Sequence, residues 1–187
     1  TVNFLQLSAI AATTFMNPNA RGANWIEGVL EYASISRRAF EAIAELHGFP
    51  LDYDLHLPEP VEQPWEASGF EKMLVDIAQL PTSSAFQDWE RDLLGAIPNF
   101  LRNYSRYRGW YEAETIADIN RLTGGAFTDA ASADAALMEL VQAGDPDRDE
   151  ALVCLLHRKV LRLSMIIAGT DPDDENPLFH KLDPILG

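Results

Sequence analysis

Glu150, Cys154, His157 and Leu161 recur at helical spacing, so that their side chains stack along one flank of the same helix. A carboxylate, a thiol and an imidazole on one half-buried flank offer acid–base chemistry, since imidazole titrates near neutrality and a neighbouring carboxylate can orient it. The same imidazole, with Cys154 or Glu150 beside it, could hold a borderline metal. The competing reading is structural: a core cysteine, a hydrogen-bonded histidine and a glutamate favoured by the positive end of the helix dipole. His47 is the other histidine on an apolar flank, at the C-terminal end of its helix, where imidazolium is favoured. The candidate catalytic set is therefore His157, Glu150, Cys154 and His47. No metal site and no cofactor is named by these residues.

A second constellation is aromatic. Phe100, Tyr104, Tyr107 and Tyr111 fall within about 60° of one helical face, with Trp110 nearby and Arg102 and Arg106 pointing the other way. Each buried phenol needs a hydrogen-bond partner, so three in a row suit a pocket or an interface better than a dry core, the competing reading being an ordinary core whose phenols reach the rim. Phe100, Tyr104, Tyr107, Trp110, Tyr111 and Arg108 are thus the candidate ligand-binding residues. Their partner would be a small hydrophobic or aromatic ligand, another protein, or a second copy in a homodimer. Arg102, Arg106 and Arg108 could grip an anion, but the acidic segment 52–66 is close at hand and intramolecular pairing is expected.

The motifs that announce common chemistries are missing: no Gly-x-Gly-x-x-Gly, P-loop, Gly-x-Ser-x-Gly, His-Glu-x-x-His or Cys-x-x-Cys occurs. Asp171-Pro172-Asp173-Asp174-Glu175 lacks the glycine and spacing of a calcium loop and reads as a solvated tail. His56 and His180 fall in proline-rich connections and are expected at the surface.

These residues must be positioned by helices. Asn24 to Gly48 forms the clearest: Trp25, Val29, Tyr32, Ala33, Ser36, Phe40, Ile43 and His47 share one side, and Glu27, Glu31, Glu41 and Glu45 share the other, facing water. Asn24 is the expected N-cap, and Gly48 with Pro50 is the stop. Phe4, Leu5, Leu7, Ile10 and Ala11 suit a short helix before it, closed by turn signals at Asn17-Pro18-Asn19 and Arg21-Gly22. Residues 49–67, with four prolines and little periodicity, predict an extended acidic connection over the surface. Helices are expected from Ser68 to Leu80 and from Ser84 to Ile97, the latter burying Phe86, Trp89, Leu93 and Ile97. Pro98 should break or restart the chain into a helix through about Tyr111. Further helices are expected over Glu114–Leu122, from Asp129 or Ser132 to Gly144, and from Asp147 to Gly169. The last is apolar nearly all round and reads as the central core helix, with Arg158, Lys159 and Arg162 in a narrow polar strip.

The expected architecture is all-α: a single-domain bundle of about seven or eight helices over residues 1–169, followed by an irregular acidic tail, 170–187, docked on its own or a neighbouring subunit. The 187 residues, 47% of them apolar, can bury one full core. A net charge of −15 argues against nucleic acid and anionic membrane as partners. With one cysteine, no internal disulfide can form, and with no long apolar run a cytoplasmic protein is expected. Three functions fit. The first is a helical binding protein that uses its aromatic face for a ligand or partner. The second is a small helical tailoring or accessory enzyme with a half-buried His/Glu/Cys site. The third is an acidic immunity- or decoy-type protein covering a basic target.

Overall fold

The chain from Trp25 to Gly169, which the computed structural model describes, is built from helices with no strand among the described residues. In order they are α1 (Trp25–His47), α2 (Pro64–Ala78), α3 (Ala85–Thr123), α4 (Ala130–Ala143), a 3₁₀ turn at Pro146–Arg148 and α5 (Asp149–Ala168). These are five α-helices among the described residues, fewer than the seven or eight expected. The expected first helix, the Asn24 cap and the tail 170–187 lie outside the described residues.

Most of the shortfall arises in α3. The helices expected on either side of Pro98 and after Tyr111 are one continuous helix of 39 residues. Proline in a helix interior leaves the carbonyl four residues back, on Leu94, without its usual donor and costs about 3 kcal/mol. The helix nevertheless continues because one stripe runs through the break: Phe86, Trp89, Leu93, Ile97, Phe100, Tyr104, Tyr107 and Tyr111 follow three- and four-residue steps. Leu93, Ile97, Phe100 and Tyr107 on both sides of Pro98 pack into the same cluster, so tertiary burial outweighs the local preference.

Helix ends follow local chemistry. Ser84 Oγ accepts from the Gln87 N–H at 3.3 Å, while Gln87 Oε1 accepts from the Ser83 N–H at 2.8 Å, a reciprocal cap shifted by one residue from the standard box. Asp129 caps α4 by accepting from the Ser132 N–H at 2.9 Å. Two expected starts move. α2 begins at Pro64 in its first turn rather than at Ser68, and Asp145 caps the 3₁₀ turn that leads into α5. Gly169 closes α5 at φ +72°, a conformation that favours glycine, and an added Cβ would have to displace the Asn103 amide, whose Nδ2 would lie 2.9 Å away.

α5 is the central helix, as its composition implied, with α1 and α3 packed along it. Val29 of α1 and Phe100 of α3 share a cluster with Ile166 and Ile167, whereas Glu41 and Asp118 lie beside His157 and Arg158. α1 and α3 therefore both run antiparallel to α5. A second cluster joins Ile119 of α3 to Ala133 and Leu137 of α4 and to Leu152 and Leu155 of α5.

The segment after α1 corrects the expectation of an aperiodic connection. Leu51, Tyr53, Leu55 and Leu57 are half-buried, and Asp52, Asp54 and His56 between them are exposed. Strict alternation in Leu-Asp-Tyr-Asp-Leu-His-Leu gives an extended strap one apolar edge. Tyr53, Leu55 and Leu57 lie on Leu161 and Met165 of α5. Among the described residues the strap packs through its side chains and carries local bonds such as the Asp54 N–H to Asp52 Oδ1 at 3.0 Å.

Candidate functional site

The sequence-derived candidates divide between a closed polar core, a shallow cleft and an open groove. His157 belongs to the core. Its side chain is 0% exposed, and neither ring nitrogen has a hydrogen-bond partner among the described residues. Nε2 lies 3.7 Å from Glu41 Oε1, which in turn accepts from Arg37 Nε at 2.7 Å, and the Tyr53 ring and the imidazole meet in a T-shaped pair with centroids 5.1 Å apart. Glu41 was expected in water, but its side chain is only 9% exposed. The buried arc of α1 runs through Val29, Ala33, Arg37 and Ala44, round from the apolar stripe toward the polar side.

Burial pushes the Glu41 carboxyl upward, and the nearby His157 and Arg37 outweigh it and hold the group below its usual value. Tyr53 is pushed up to about 12, first by burial and then by the negative charge of Glu41. His157 thus faces the Glu41 carboxylate, itself paired with Arg37, and the Tyr53 ring, in a closed space.

Glu150 and Cys154 lie elsewhere. They line a shallow cleft of about 510 Å³ with Pro50, Asp118, Arg121 and Arg158, and His157 does not line it. The Cys154 thiol donates to the Pro50 carbonyl at 3.4 Å, and burial, followed by the Glu150 charge, raises its pKa, which lowers the thiolate fraction. His47 is exposed at the end of α1 and stacks on Phe49 with centroids 5.3 Å apart. The four candidate catalytic residues are therefore not gathered in one cavity. Among the described residues, no group of three or more His, Cys, Asp or Glu side chains is placed to hold a metal ion.

A buried ion cluster escaped the sequence reading. Asp118 accepts from Arg162 Nη2 at 2.8 Å, Arg158 Nη2 at 3.1 Å and Arg121 Nη1 at 2.8 Å, joining α3 to α5. Burial raises this carboxyl, but Arg162 and Arg158 prevail and hold it below the usual carboxylate range. Arg162, in the narrow polar strip of this helix, is 2% exposed. The available signal was the pair Arg158 and Arg162, four residues apart on an otherwise apolar helix, which demands an acid from a neighbouring element.

The aromatic set also divides. Phe100 and Tyr107 are buried in the cluster with Val29 and Ile166, and Tyr111 packs half-buried against it with its phenol pKa raised, chiefly by burial and then by Tyr32. Tyr104, Trp110 and Arg108 line an open groove of about 850 Å³ between the strap, the start of α2 and the middle of α3. Val61, Phe70 and Leu101 add apolar wall, and Glu59, Glu66 and Glu112 stand on the rim. The groove is held to shape by polar links across its base. The Val61 N–H donates to the Arg106 carbonyl at 3.3 Å, Arg106 Nη2 meets Glu62 at 2.5 Å, and Ser105 Oγ donates to Glu66. The expected pairing of arginine with the acidic segment is thus made by Arg106. Arg102 donates instead to Asn99 at 2.7 Å, and Arg108 is exposed at the groove with no ion pair among the described residues.

No family model, curated protein or solved structure matches this chain. No described helix is long and apolar enough to cross a membrane.

Proposed function

We propose that the chain is a helical binding protein whose ligand lies in the groove over Tyr104 and Trp110. The observation that carries this reading is the groove itself: aromatic and aliphatic wall, one cation without an ion pair among the described residues, and a volume within the range of small-molecule sites. The chemistry suits an amphipathic ligand with an aromatic or aliphatic body on Tyr104, Trp110 and Leu101 and an anionic end at Arg108. Glu59, Glu66 and Glu112 around the rim would repel a ligand carrying more than one or two negative charges. The closed surroundings of His157, and its separation from the cleft of Cys154 and Glu150, leave the enzyme reading without a shared cavity.

A planar aromatic anion such as 1-anilinonaphthalene-8-sulfonate tests the proposal. Titrated against the full chain, it should shift the Trp110 indole N–H resonance in a saturable way. Tyr104→Ala should weaken that site about tenfold, and Arg108→Ala about three- to fivefold. Saturable binding that leaves Trp110 unmoved, or that is indifferent to both substitutions, would refute the reading.

A further inference from the structure

The groove over Tyr104 and Trp110 carries charges that its own walls leave unpaired, and their arrangement narrows the ligand. Tyr104, Arg108 and Glu112 recur at every fourth residue of α3, so a ring, a cation and a carboxylate stand in a row along the groove, and Glu59 joins them from the strap. The Tyr104 phenol senses both charges: burial and then Glu112 push its pKa up, while Arg108 draws it down. The remaining charged groups of the lining are engaged within the chain, Arg106 with Glu62 and Glu66 with Ser105 Oγ. Arg108, Glu59 and Glu112 have no ion pair among the described residues. Arg108 and Glu112 stay unpaired although one turn separates them, the order of cation before acid being the weaker one at this spacing.

The wall formed by α3 is also open at this point. Gly109 has ordinary helical backbone, and a Cβ there would meet nothing within 4 Å among the described residues. Neither turn geometry nor a close neighbour calls for glycine, which is unfavourable in a helix interior, and its effect is to leave room in the groove near Ser105 and Glu112. The signs of charge then constrain what fills that room. A purely anionic ligand at Arg108 would lie in the field of two unpaired carboxylates, and a purely cationic one would meet Arg108. A ligand bearing both signs satisfies all three groups. Residues four apart on a helical face have Cβ atoms about 5–6 Å from each other, near enough for long side chains to reach two groups on a single carbon of the ligand. Tyr104 and Trp110 supply faces for a ring, and such faces also attract an ammonium.

We infer that the ligand of this groove is a small aromatic zwitterion, with its carboxylate on Arg108, its ammonium at the Glu59 and Glu112 rim and its ring on Tyr104 and Trp110, the chemistry of a free aromatic amino acid. The inference rests on the groove being the binding site and adds the sign and place of a second charge.

The test titrates the isotope-enriched full chain, at about pH 7, with three ligands that share an indole. Tryptophan carries both charges, indolepropionate lacks the ammonium and tryptamine lacks the carboxylate. Tryptophan should shift the Trp110 indole N–H resonance saturably and bind about three- to fivefold more tightly than either relative. In the double variant Glu59→Gln and Glu112→Gln, both on exposed or half-exposed side chains, the advantage over indolepropionate should disappear, and indolepropionate itself should bind no more weakly than before. Equal or tighter binding of indolepropionate or tryptamine to the unaltered chain, with Trp110 still shifted, overturns the zwitterion and leaves the groove as the binding site. An advantage that survives the double substitution overturns it as well. So does a Trp110 resonance unmoved by all three ligands, and if anilinonaphthalene sulfonate also leaves it unmoved, the groove reading falls with it.

Discussion

Asp118 accepts hydrogen bonds from three arginines on two helices, and its side chain is 4% exposed. Removing it would leave Arg162 buried without its acid, because Glu114 stands 3.7 Å away and is half exposed. Asp118→Ala should therefore cost about 3–5 kcal/mol in urea unfolding, the scale for breaking a buried pair from one side. A loss below about 1 kcal/mol would place the pair in effective contact with solvent. Asp118 and Glu41 also fix the acid limit of the fold. Both carboxyls titrate below their ordinary values, so their contribution is complete above the unfolded-state value near pH 4 and is lost as pH falls through the lower folded values. The urea midpoint should accordingly stay level from about pH 7 to 5 and drop below about pH 4, and Asp118→Asn should flatten that drop. At this scale the sequence displayed the arginines but not their partner, since α3 offers several acids. It also misplaced Glu41, because Glu45, Ser34 and Arg38 share its side of the helical wheel and only the docking of α1 on α5 brings His157 to it.

At the scale of elements, the strap and α3 show where local signals end. The alternation Leu-Asp-Tyr-Asp-Leu-His-Leu was present in the sequence, yet alternation ordinarily signals a strand with a partner, and here the apolar edge meets a helix. The strap's two edges should respond unequally. Leu57→Ala, which removes packing on Met165 and on the Phe100 cluster, should cost about 2 kcal/mol, and Asp54→Ala less than about 0.5 kcal/mol. Equal costs in thermal or urea unfolding would contradict the register. Stop signals were legible because they are local: Gly48, Gly124, Gly144 and Gly169 all end helices with positive φ. Pro98 was not, because its cost of about 3 kcal/mol is offset by core packing on both sides, which a local reading cannot weigh. Pro98→Ala should restore a donor for the Leu94 carbonyl and stabilise the chain by about 1–2 kcal/mol. Destabilisation would show that the buried ring is worth more as packing than the missing bond costs.

For the whole molecule, charge and hydrophobic pattern act together. A net charge of −15 makes the compact chain repel itself, and screening should relieve that repulsion. Raising sodium chloride from about 0.01 M to about 0.2 M should increase the melting temperature by a few degrees. A decrease would mean that the Asp118 and Glu41 clusters dominate the electrostatic balance. The sequence by itself determined the helical class, the central place of α5, the ends set by glycine and capping residues, and the net charge of −15. Each depends on spacing and chemistry within a few residues, or on a sum over the whole chain. Only the tertiary structure decided that His157 stands with Glu41, Arg37 and Tyr53 rather than with Cys154 and Glu150, and that Tyr104, Trp110 and Arg108 alone of the aromatic candidates line an open groove. It also left Phe86 and Trp89 beyond the bundle. The physical reason is common to all three. A helix presents a full circle of side chains, and which part of that circle becomes interior depends on where the neighbouring helices start, stop and cross, which no periodicity within one helix encodes.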